Sequence, residues 1–321
     1  MGVDRLIVGT RGSELALWQS KHIGSELSSL FPALQVELRI IKTLGDKILD
    51  SPLSRIGDKG LFTKEIERAL ADKTIDLAVH SLKDVPTRLP EGLTIGAITR
   101  REDVRDVFIS HPAKKHSRFS QLPTNAQVAT GSLRRRSQLL HNRPDLRIVE
   151  IRGNLNTRMN KLEESDWDGM ILARAGVLRL GLESKITEIL PFETMLPAVG
   201  QGALAIEIRE DDRTTRQKIR ELHHDPTASS VLGERALLRF LEGGCQIPIG
   251  TYGRIEEGQF RLDAIIGSLD GRRVVRGEIS GIPAQSEQLG EKLAQQLLSR
   301  GGKEILEEIR SLGSTPLSPE P

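Results

Sequence analysis

The sequence predicts an α/β fold followed by a small α+β domain. Apolar strands alternate with helical patterns through the first two thirds of the 321 residues, whereas the last third holds a hairpin between two helices. Folds of the first kind bind ligands at the carboxyl ends of their strands. With 37% hydrophobic and 28% charged residues, the composition is that of a globular protein and excludes wholesale disorder. The length suits two or three domains.

Eight apolar runs predict strands, and helical patterns lie between them. The strands are predicted at 6–8, 36–41, 75–79, 93–98, 107–109, 147–151, 169–173 and 204–208. The helices are predicted at 13–30, 61–71, 132–140 and 155–162. In the last third, helices at 232–241 and 286–300 flank a hairpin with strands at 259–266 and 273–279. A mobile loop is predicted at 51–60 and a disordered tail at 313–321.

Charge and hydropathy limit the classes of partner. The net charge is only +2, so a basic site must be a local concentration of cations. No apolar run approaches the roughly 18 residues of a membrane span, and no basic-then-apolar leader is present, which predicts a cytoplasmic protein without a membrane partner. The seven histidines have no ligand-spaced carboxylate or thiol set, so no metal site is predicted.

Three strand-to-helix turns share a glycine and basic residues. Helix N-termini bind anions through their free N–H groups. A cation there opposes the helix dipole by about 0.3–1 kcal/mol, so a cluster of arginines indicates a compensating anion, although a solvated basic face is the alternative for one turn alone. The arginine fork suits carboxylate or phosphate. The turns are Gly9-Thr10-Arg11-Gly12-Ser13, Thr130-Gly131-Ser132-Leu133-Arg134-Arg135-Arg136 and Arg152-Gly153-Asn154.

Cys245 is the only cysteine and therefore cannot form an intramolecular disulfide. A lone thiol is often a small buried hydrophobe, but two preceding glycines and Pro248 place this one on a tight, shaped loop. The thiol follows a predicted helix C-terminus, where the dipole disfavours thiolate. This position argues against a protease-like nucleophile and favours a sulfur that is bonded once and stays bonded.

Ser81, Lys83 and Asp84 follow the predicted strand 75–79 and so stand where α/β folds place active sites. Asp84 beside Lys83 is equally compatible with a surface ion pair of little energy. A carboxylate among cations is also what a reaction that passes through a positively charged intermediate requires. Taken alone, the cluster is a weak signal.

Seven motifs in register over nearly the whole chain resemble the porphobilinogen deaminase family. Each motif is modest alone, but their order is highly specific. They are Arg11-Gly12-Ser13-Glu14-Leu15-Ala16-Leu17-Trp18-Gln19, Gly57-Asp58-Lys59-Gly60-Leu61-Phe62, Val79-His80-Ser81-Leu82-Lys83-Asp84-Val85-Pro86, Gly131-Ser132-Leu133-Arg134-Arg135, Arg152-Gly153-Asn154, Gly200-Gln201-Gly202-Ala203 and Gly243-Gly244-Cys245.

The resemblance implies a fold of two α/β domains, like those of type II periplasmic binding proteins, with a central cleft. A third, α+β domain would present the cysteine loop. The chain would cross between the first two domains near 99–105 and return near 196–202. The implied bounds are 1–99 with 203–220 for the first domain, 105–196 for the second and 224–312 for the third.

The resemblance also implies an activity. The family joins four porphobilinogen molecules head to tail, with release of ammonia, into the linear tetrapyrrole hydroxymethylbilane. The product is built on a dipyrromethane cofactor held by a thioether, here through Cys245. By resemblance, Asp84 holds pyrrole N–H groups and stabilises the azafulvenium cation left by ammonia, and the protein is a monomer.

The implied binding residues fall into three groups. Cofactor and substrate carboxylates would be bound by Arg11, Ser13, Lys83, Arg134, Arg135, Arg152, Arg158 and Arg179. Further hydrogen bonds would come from Ser81, Thr130, Ser132 and Gln201. Lys59 would lie on the 51–60 loop, which would act as a lid. Arg136 is expected to be structural, and Trp18 to be part of the core.

Two other classes of function compete with the enzyme. A non-catalytic carboxylate-binding protein of the same fold would need neither Asp84 nor Cys245. A nucleic-acid binder is suggested by the arginine-rich segment 134–158, but the near-neutral charge and 3% aromatic content leave few stacking platforms. We therefore expect no nucleic-acid partner.

Overall fold

A computed structural model describes residues 4–47, 62–241 and 247–313. In these residues two sheets of five strands and one of three form the framework. The first sheet has the order β2-β1-β3-β10-β4. Its strands are β1 (Arg5–Thr10), β2 (Gln35–Ile40), β3 (Leu77–Ser81), β4 (Leu93–Ile98) and β10 (Leu204–Arg209).

The second sheet repeats this arrangement, with the order β7-β6-β8-β5-β9. In each sheet the three strands at one end are parallel, and the fourth in spatial order (β10 or β5) runs antiparallel to its neighbours. The chain enters the second sheet through β5 and re-enters the first through β10. The strands are β5 (Asp106–Ser110), β6 (Gln127–Ala129), β7 (Arg147–Val149), β8 (Gly169–Ala173) and β9 (Glu188–Ile189).

Helices cover both faces of the first sheet. Leu77 and Val79 of β3 pack in one cluster with Ile23 of helix α1 (Glu14–Leu30). Ala78, between them in sequence, belongs to the cluster of the helix Lys64–Ala71 on the opposite face. Alternate residues of a strand point to opposite faces, so a strand buried on both sides reads as a continuous apolar run. A one-turn helix, α2 (Leu44–Lys47), precedes Lys64–Ala71, which we call α3.

The second sheet is covered in the same way. Phe108 and Val128 pack on one face with Leu139 of α4 (Leu133–Asn142). Val107 and Ala129 pack on the other with Met159 of α5 (Leu155–Glu163). A short helix, α6 (Arg174–Arg179), follows β8.

The C-terminal part is an antiparallel sheet of order β11-β12-β13, covered by helices. Leu237 and Leu293 share a core with Phe260 of the middle strand. The strands are β11 (Ile249–Glu256), β12 (Gln259–Gly267) and β13 (Val274–Gly281). Helix α7 (Arg213–Ile219) packs against the first sheet through Ile219, and the helices of the C-terminal part are α8 (Asp225–Phe240), α9 (Ser286–Leu297) and α10 (Lys303–Gly313).

The predicted fold class, α/β domains followed by an α+β domain, is confirmed, but the predicted set of elements was incomplete. Helix α8 begins at Asp225 and not at 232, because His224 caps it by accepting from the Thr227 N–H and Pro226 lies in its first turn. The helix predicted at 286–300 ends at Leu297, where a kink with Gly301 at φ 104° leads into the unpredicted α10. Strands β9 and β11 and the short helices α6 and α7 were also not predicted.

Other sequence predictions lie beyond what is described. Residues 51–60 and 314–321 fall outside the described ranges, so the mobile loop and the disordered tail stay predictions. The domain bounds also stay predictions. Within the described residues, every helix is too short or too polar to span a bilayer.

Candidate active site

The carboxyl ends of β1 and β3 form one pocket. The two strands are parallel neighbours, so the turns that follow them meet at the same edge of the sheet. The turn after β1 contributes Arg11 and Ser13 to the lining of this pocket. The segment after β3 contributes Ser81 and Asp84, and Asp84 closes a single 3₁₀ turn, Leu82–Asp84, with its side chain exposed. The structure therefore brings four of the predicted site residues together.

A buried glutamine joins helix α1 to strand β3 at this pocket. Gln19 Nε2 donates to Ser81 Oγ at 2.8 Å. Gln19 is buried at the helical spacing of Ile23 and Leu27, which pack into the core. The sequence analysis assigned Gln19 no role. A polar residue within the apolar stripe of a helix nevertheless indicates a buried hydrogen-bond partner.

Arg11 lies over an aromatic ring. Its guanidinium carbon is 4.1 Å from the centroid of Phe62, a cation–π contact that holds the side chain at the mouth of the pocket. Ser13 caps α1 by accepting from the Ala16 N–H at 3.4 Å. Phe62 was not among the predicted site residues, and nothing in its sequence neighbourhood marks it as an arginine partner.

Lys83 is exposed to solvent and yet closely surrounded by protein. Desolvation lowers the pKa of its ammonium to about 8; Asp84 opposes this shift and Arg135 adds to it. A cation in this state gains from an incoming carboxylate, which restores the interaction that water no longer provides.

Arg134 and Arg135 bind a carboxylate, but it belongs to the protein. Arg134 Nη1 donates to Asp106 Oδ2 at 2.7 Å and to the Leu196 carbonyl at 2.7 Å. Arg135 Nη2 donates to Asp106 Oδ1 at 2.8 Å. The two arginines are 6% and 5% exposed. In this structure Asp106 and the surrounding protein engage both side chains, and the predicted ligand contacts of the two arginines stay predictions.

Gln201 points to the same carboxylate. Its Nε2 donates to Asp106 Oδ1 at 2.9 Å and to the Val104 carbonyl at 2.7 Å, and the residue is almost fully buried. Although burial raises the pKa of Asp106, the two arginines hold it well below its usual range. Asp106 opens an apolar strand, and sequence reasoning gave it no role because its partners are distant in the chain.

The turn after β6 repeats the turn after β1. Ser132 caps α4 by accepting from the Arg135 N–H at 3.4 Å, as Ser13 caps α1. Thr130 is buried, and its hydroxyl accepts from the Ser132 N–H at 3.3 Å. These hydrogen bonds shape the turn, so the predicted ligand contacts of both hydroxyls stay predictions.

Three further predicted cations are half-buried. Arg158 Nε donates to the Gly153 carbonyl at 2.8 Å, and Arg179 Nη2 to the Gly202 carbonyl at 2.7 Å. Desolvation lowers the pKa of each to about 10, and neighbouring Arg135 and Arg152 add to the shift of Arg158. The pKa of Arg152 is lowered by desolvation as well, with Glu150 3.9 Å away.

Of the four remaining predicted residues, the structure describes two. Trp18 is not a core residue: it is 37% exposed, stacks on His22 with centroids 5.0 Å apart, and has the Arg179 guanidinium 5.9 Å from its ring. Arg136 is exposed and its Nε donates to the Leu269 carbonyl, a structural contact. Lys59 and Cys245 lie outside the described residues.

The fold and the site define a class: a protein with two like-ordered α/β sheets and with basic side chains gathered at their strand ends, beside an exposed carboxylate. Residues 6–217 match the family "Porphobilinogen deaminase, dipyromethane cofactor binding domain", and residues 228–299 match "Porphobilinogen deaminase, C-terminal domain". The chain belongs to the porphobilinogen deaminase family.

Relatives of the same family match this chain over nearly its whole length. The chain is 56% identical over 310 residues to porphobilinogen deaminase of Chlorobium phaeovibrioides, covering 95% of this chain and 98% of the relative. It is 56% identical over 308 residues, with the same coverage, to that of Chlorobaculum parvum. A remote structural similarity links it to a probable amino-acid ABC transporter extracellular-binding protein of Bacillus subtilis, with a TM-score of 0.40 and 12% identity over 69% of this chain and 90% of that one.

Membership defines the reaction. The chain is a hydroxymethylbilane synthase: it joins four porphobilinogen molecules, with release of ammonia, into a linear tetrapyrrole on a dipyrromethane cofactor. It therefore acts in tetrapyrrole biosynthesis. The alternative function, a non-catalytic carboxylate-binding protein of the same fold, is not favoured.

The described residues fit a cofactor and substrate that carry acetate and propionate groups. Lys83, Arg158 and Arg179 are desolvated cations. Arg135 Nε is buried without a hydrogen-bond partner in the part of the chain that the structure describes. In those same residues, no group of three or more His, Cys, Asp or Glu side chains could hold a metal ion.

Proposed function

We propose that Asp84 is the catalytic carboxylate of this hydroxymethylbilane synthase. The observation that carries the proposal is its position: among the described residues lining the pocket at the ends of β1 and β3, Asp84 is the only acidic one, and Arg11 faces the same pocket. When ammonia leaves porphobilinogen, the C–N electron pair departs with nitrogen and the pyrrole becomes an azafulvenium cation. A carboxylate held beside this cation lowers the barrier electrostatically.

The bound cofactor supplies a terminal pyrrole whose free α-carbon forms the new C–C bond. Asp84 would accept hydrogen bonds from pyrrole N–H groups, which orients the rings, and its charge favours proton release from the ring that has reacted. Ser81, held by Gln19, would provide a second polar contact at the same strand end. Cys245 would hold the cofactor by a thioether, and Lys59 would lie on a lid.

The cations around the cleft would bind the acetate and propionate groups. The residues proposed for direct contact are Arg11, Ser13, Lys83, Thr130, Ser132, Arg135, Arg152, Arg158 and Arg179. Arg134 and Gln201 act, in this proposal, mainly through Asp106, which both of them contact. They would fix the start of α4 and so the direction of the neighbouring Arg135.

Asp84→Asn should abolish elongation but leave the cofactor attached, because it removes the charge and keeps the size. Asp84→Glu keeps the charge but misplaces it, so slow turnover should remain. The measurement is intact mass before and after addition of porphobilinogen, which counts the pyrrole units added. Elongation by Asp84→Asn at the unmodified rate would refute the role.

Cys245→Ser tests the attachment independently. The unmodified holoenzyme should carry a covalent excess of two pyrrole units, and the variant should lack it. An excess that persisted in Cys245→Ser would move the attachment to another residue without affecting the role of Asp84.

We also propose that the enzyme works as a cytoplasmic monomer without a nucleic-acid partner. The near-neutral net charge of +2 and the low aromatic content support the second part. Light scattering of the holoenzyme should give a mass near 35.5 kDa. Salt-sensitive retention on immobilised DNA would contradict the proposal.

A further inference from the structure

A second cavity lies in the domain of the second sheet. Its volume is about 320 Å³, within the range of roughly 300–1,000 Å³ typical of small-molecule sites. It is bounded by the end of β5, the loop that follows it, helix α5 and the segment 184–187. It shares no lining residue with the pocket that contains Asp84.

The floor of this cavity is apolar. Ile109 of β5, Pro112 of the following loop, and Met159 and Leu162 of α5 line it. Ile109, Met159 and Leu162 are also members of the core cluster on this face of the sheet, so the floor is rigidly packed. A surface of this kind receives the apolar body of a ligand.

One buried side chain at the cavity, His111, has a hydrogen-bond donor without an acceptor in the described residues. His111 lines the cavity and is 8% exposed. Its Nδ1 accepts from the Ala113 N–H at 3.1 Å, so the neutral ring carries its hydrogen on Nε2. Within residues 4–47, 62–241 and 247–313, this Nε2 has no hydrogen-bond partner. An unsatisfied buried donor is unfavourable, and an acceptor bound in the cavity would remove this penalty.

The rim of the cavity is positively charged. Lys115 and Lys185 line it together with one acidic residue, Glu163, which pairs with Lys185 at 3.1 Å. Lys115 is exposed and has no acidic partner within 4 Å in the described parts of the chain. Its backbone has φ 50°, and its N–H donates to the His111 carbonyl. A non-glycine residue persists in this conformation only where its surroundings impose it, which is common at ligand sites.

We propose that this cavity binds a small carboxylate with an apolar body. The floor would take the apolar part, His111 Nε2–H would donate to a carboxylate oxygen, and the ammonium of Lys115 would neutralise the charge. This site is separate from the active cleft and is assigned by none of the roles given above.

Methyl NMR of the holoenzyme tests the proposal with phenylacetate as the probe. The chain has four methionines, so [methyl-¹³C]Met labelling gives a simple spectrum in which Met159→Leu assigns the reporter at the cavity floor. Phenylacetate should shift the Met159 signal saturably and leave that of the fully buried Met195 unchanged. The neutral isostere phenylacetamide should bind at least about fivefold more weakly, since it lacks the charge.

The same substitution, lysine to methionine, at two positions distinguishes binding in this cavity from general attraction of anions to the protein. Lys115→Met should weaken phenylacetate binding about fivefold. Lys292→Met, which removes the same charge from the exposed face of α9, should leave it unchanged. Equal affinity for phenylacetate and phenylacetamide, unchanged affinity in Lys115→Met, or a Met159 signal that does not move would each overturn the proposal.

Discussion

Lys83 lies beside Asp84, and desolvation lowers the pKa of its ammonium to about 8. Below that pH the side chain is a cation able to bind a substrate carboxylate, and above it the charge is lost. We expect kcat/KM, which reports ionisations of the free enzyme and free substrate, to fall as the pH rises through about 8. In Lys83→Arg the guanidinium stays charged, so this alkaline limb should move upward even if the maximum rate drops.

The lowered pKa of Lys83 also determines how this residue changes the free energy of unfolding with pH. Because the pKa of Lys83 is lower in the folded than in the unfolded chain, its charged form costs stability below pH 8. This cost declines as the pH rises towards the pKa of lysine in the unfolded chain, about 10.4. For the kinetic prediction, if kcat/KM of Lys83→Arg fell at the same pH as that of the unmodified enzyme, a group other than Lys83 would cause the decrease.

Asp106 holds two buried guanidinium groups and the amide of Gln201. Asp106→Asn keeps the shape but removes the charge, leaving both arginines uncompensated in the interior. Removing one partner of a buried ion pair costs about 3–5 kcal/mol, and we expect a loss of that order in the free energy of unfolding at pH 7. Urea denaturation measures it.

The control for this prediction is Asp145→Asn. Asp145 pairs with Arg143 only two residues away and lies near the surface, so its loss should change stability little. The contribution of Asp106 should also disappear from the unmodified enzyme as the pH falls below the usual carboxyl pKa towards the depressed folded value. Equal stability losses in the two variants would contradict the special role of Asp106.

At the scale of the elements, the turn after β6 depends on a glycine for space. A Cβ at Gly131 would lie 2.6 Å from the Ile151 carbonyl oxygen, a backbone atom of the segment that leads to Arg152. Gly131→Ala should therefore separate two turns of the site, lowering stability by about 1–3 kcal/mol and raising KM. Thermal unfolding and steady-state kinetics measure the two effects.

Gly12 provides the matched substitution in the equivalent turn after β1. A Cβ there would meet only the Ile40 side chain, at 3.4 Å, an ordinary contact. Gly12→Ala should be tolerated. A Gly131→Ala variant as stable as Gly12→Ala would mean that the turn relaxes at no cost.

Elements with strong local signals were predictable from the sequence. The apolar run of β3 and the capped helices α1 and α4 carry their own periodicity and stop signals, and the structure has them within a few residues. The two-residue strand β9 has no such signal, because it exists only through pairing with β5. Helix α10 was missed because the kink at Gly301 separates it from α9.

Site residues were predictable as a set but not in their contacts. Arginines in glycine turns indicate an anion, yet nothing local shows that the anion nearest Arg134 and Arg135 is Asp106, more than 25 residues away. Gln19 and Phe62 were missed for the same reason, since Ser81 lies 62 residues from Gln19. Long-range pairing is set by the packing of the sheets, which periodicity does not encode.

At the scale of the whole molecule, one buried carboxylate joins the C-terminal domain to both crossings between the sheets. Glu234 of α8 is fully buried. It accepts from Arg101, in the first crossing, and from the Gly200 N–H, in the return crossing, both at 2.7 Å. It also accepts from the Gly253 N–H of β11 at 2.7 Å. Both crossings are thus held at one point, and we predict that the two sheets rotate relative to each other about it.

Such rotation would make room as the cofactor-bound chain grows from two rings to six. It can be blocked where helices of the two α/β units touch. Asn156 at the start of α5 donates to Glu14 at the start of α1. With a short bis-maleimide joining the cysteines of a Glu14→Cys, Asn156→Cys holoenzyme, elongation should stop before four units are added. Intact mass after addition of porphobilinogen gives the number of units.

The two single-cysteine variants, treated with the same reagent, should complete all four additions, because neither side chain is needed for chemistry. If the crosslinked enzyme also added four units and released product at the uncrosslinked rate, the growing chain would have to be accommodated without movement between the sheets. Local rearrangement of the strand-end turns would then supply the space. Stalling at an intermediate count would give the length of chain that the cleft holds in the conformation described here.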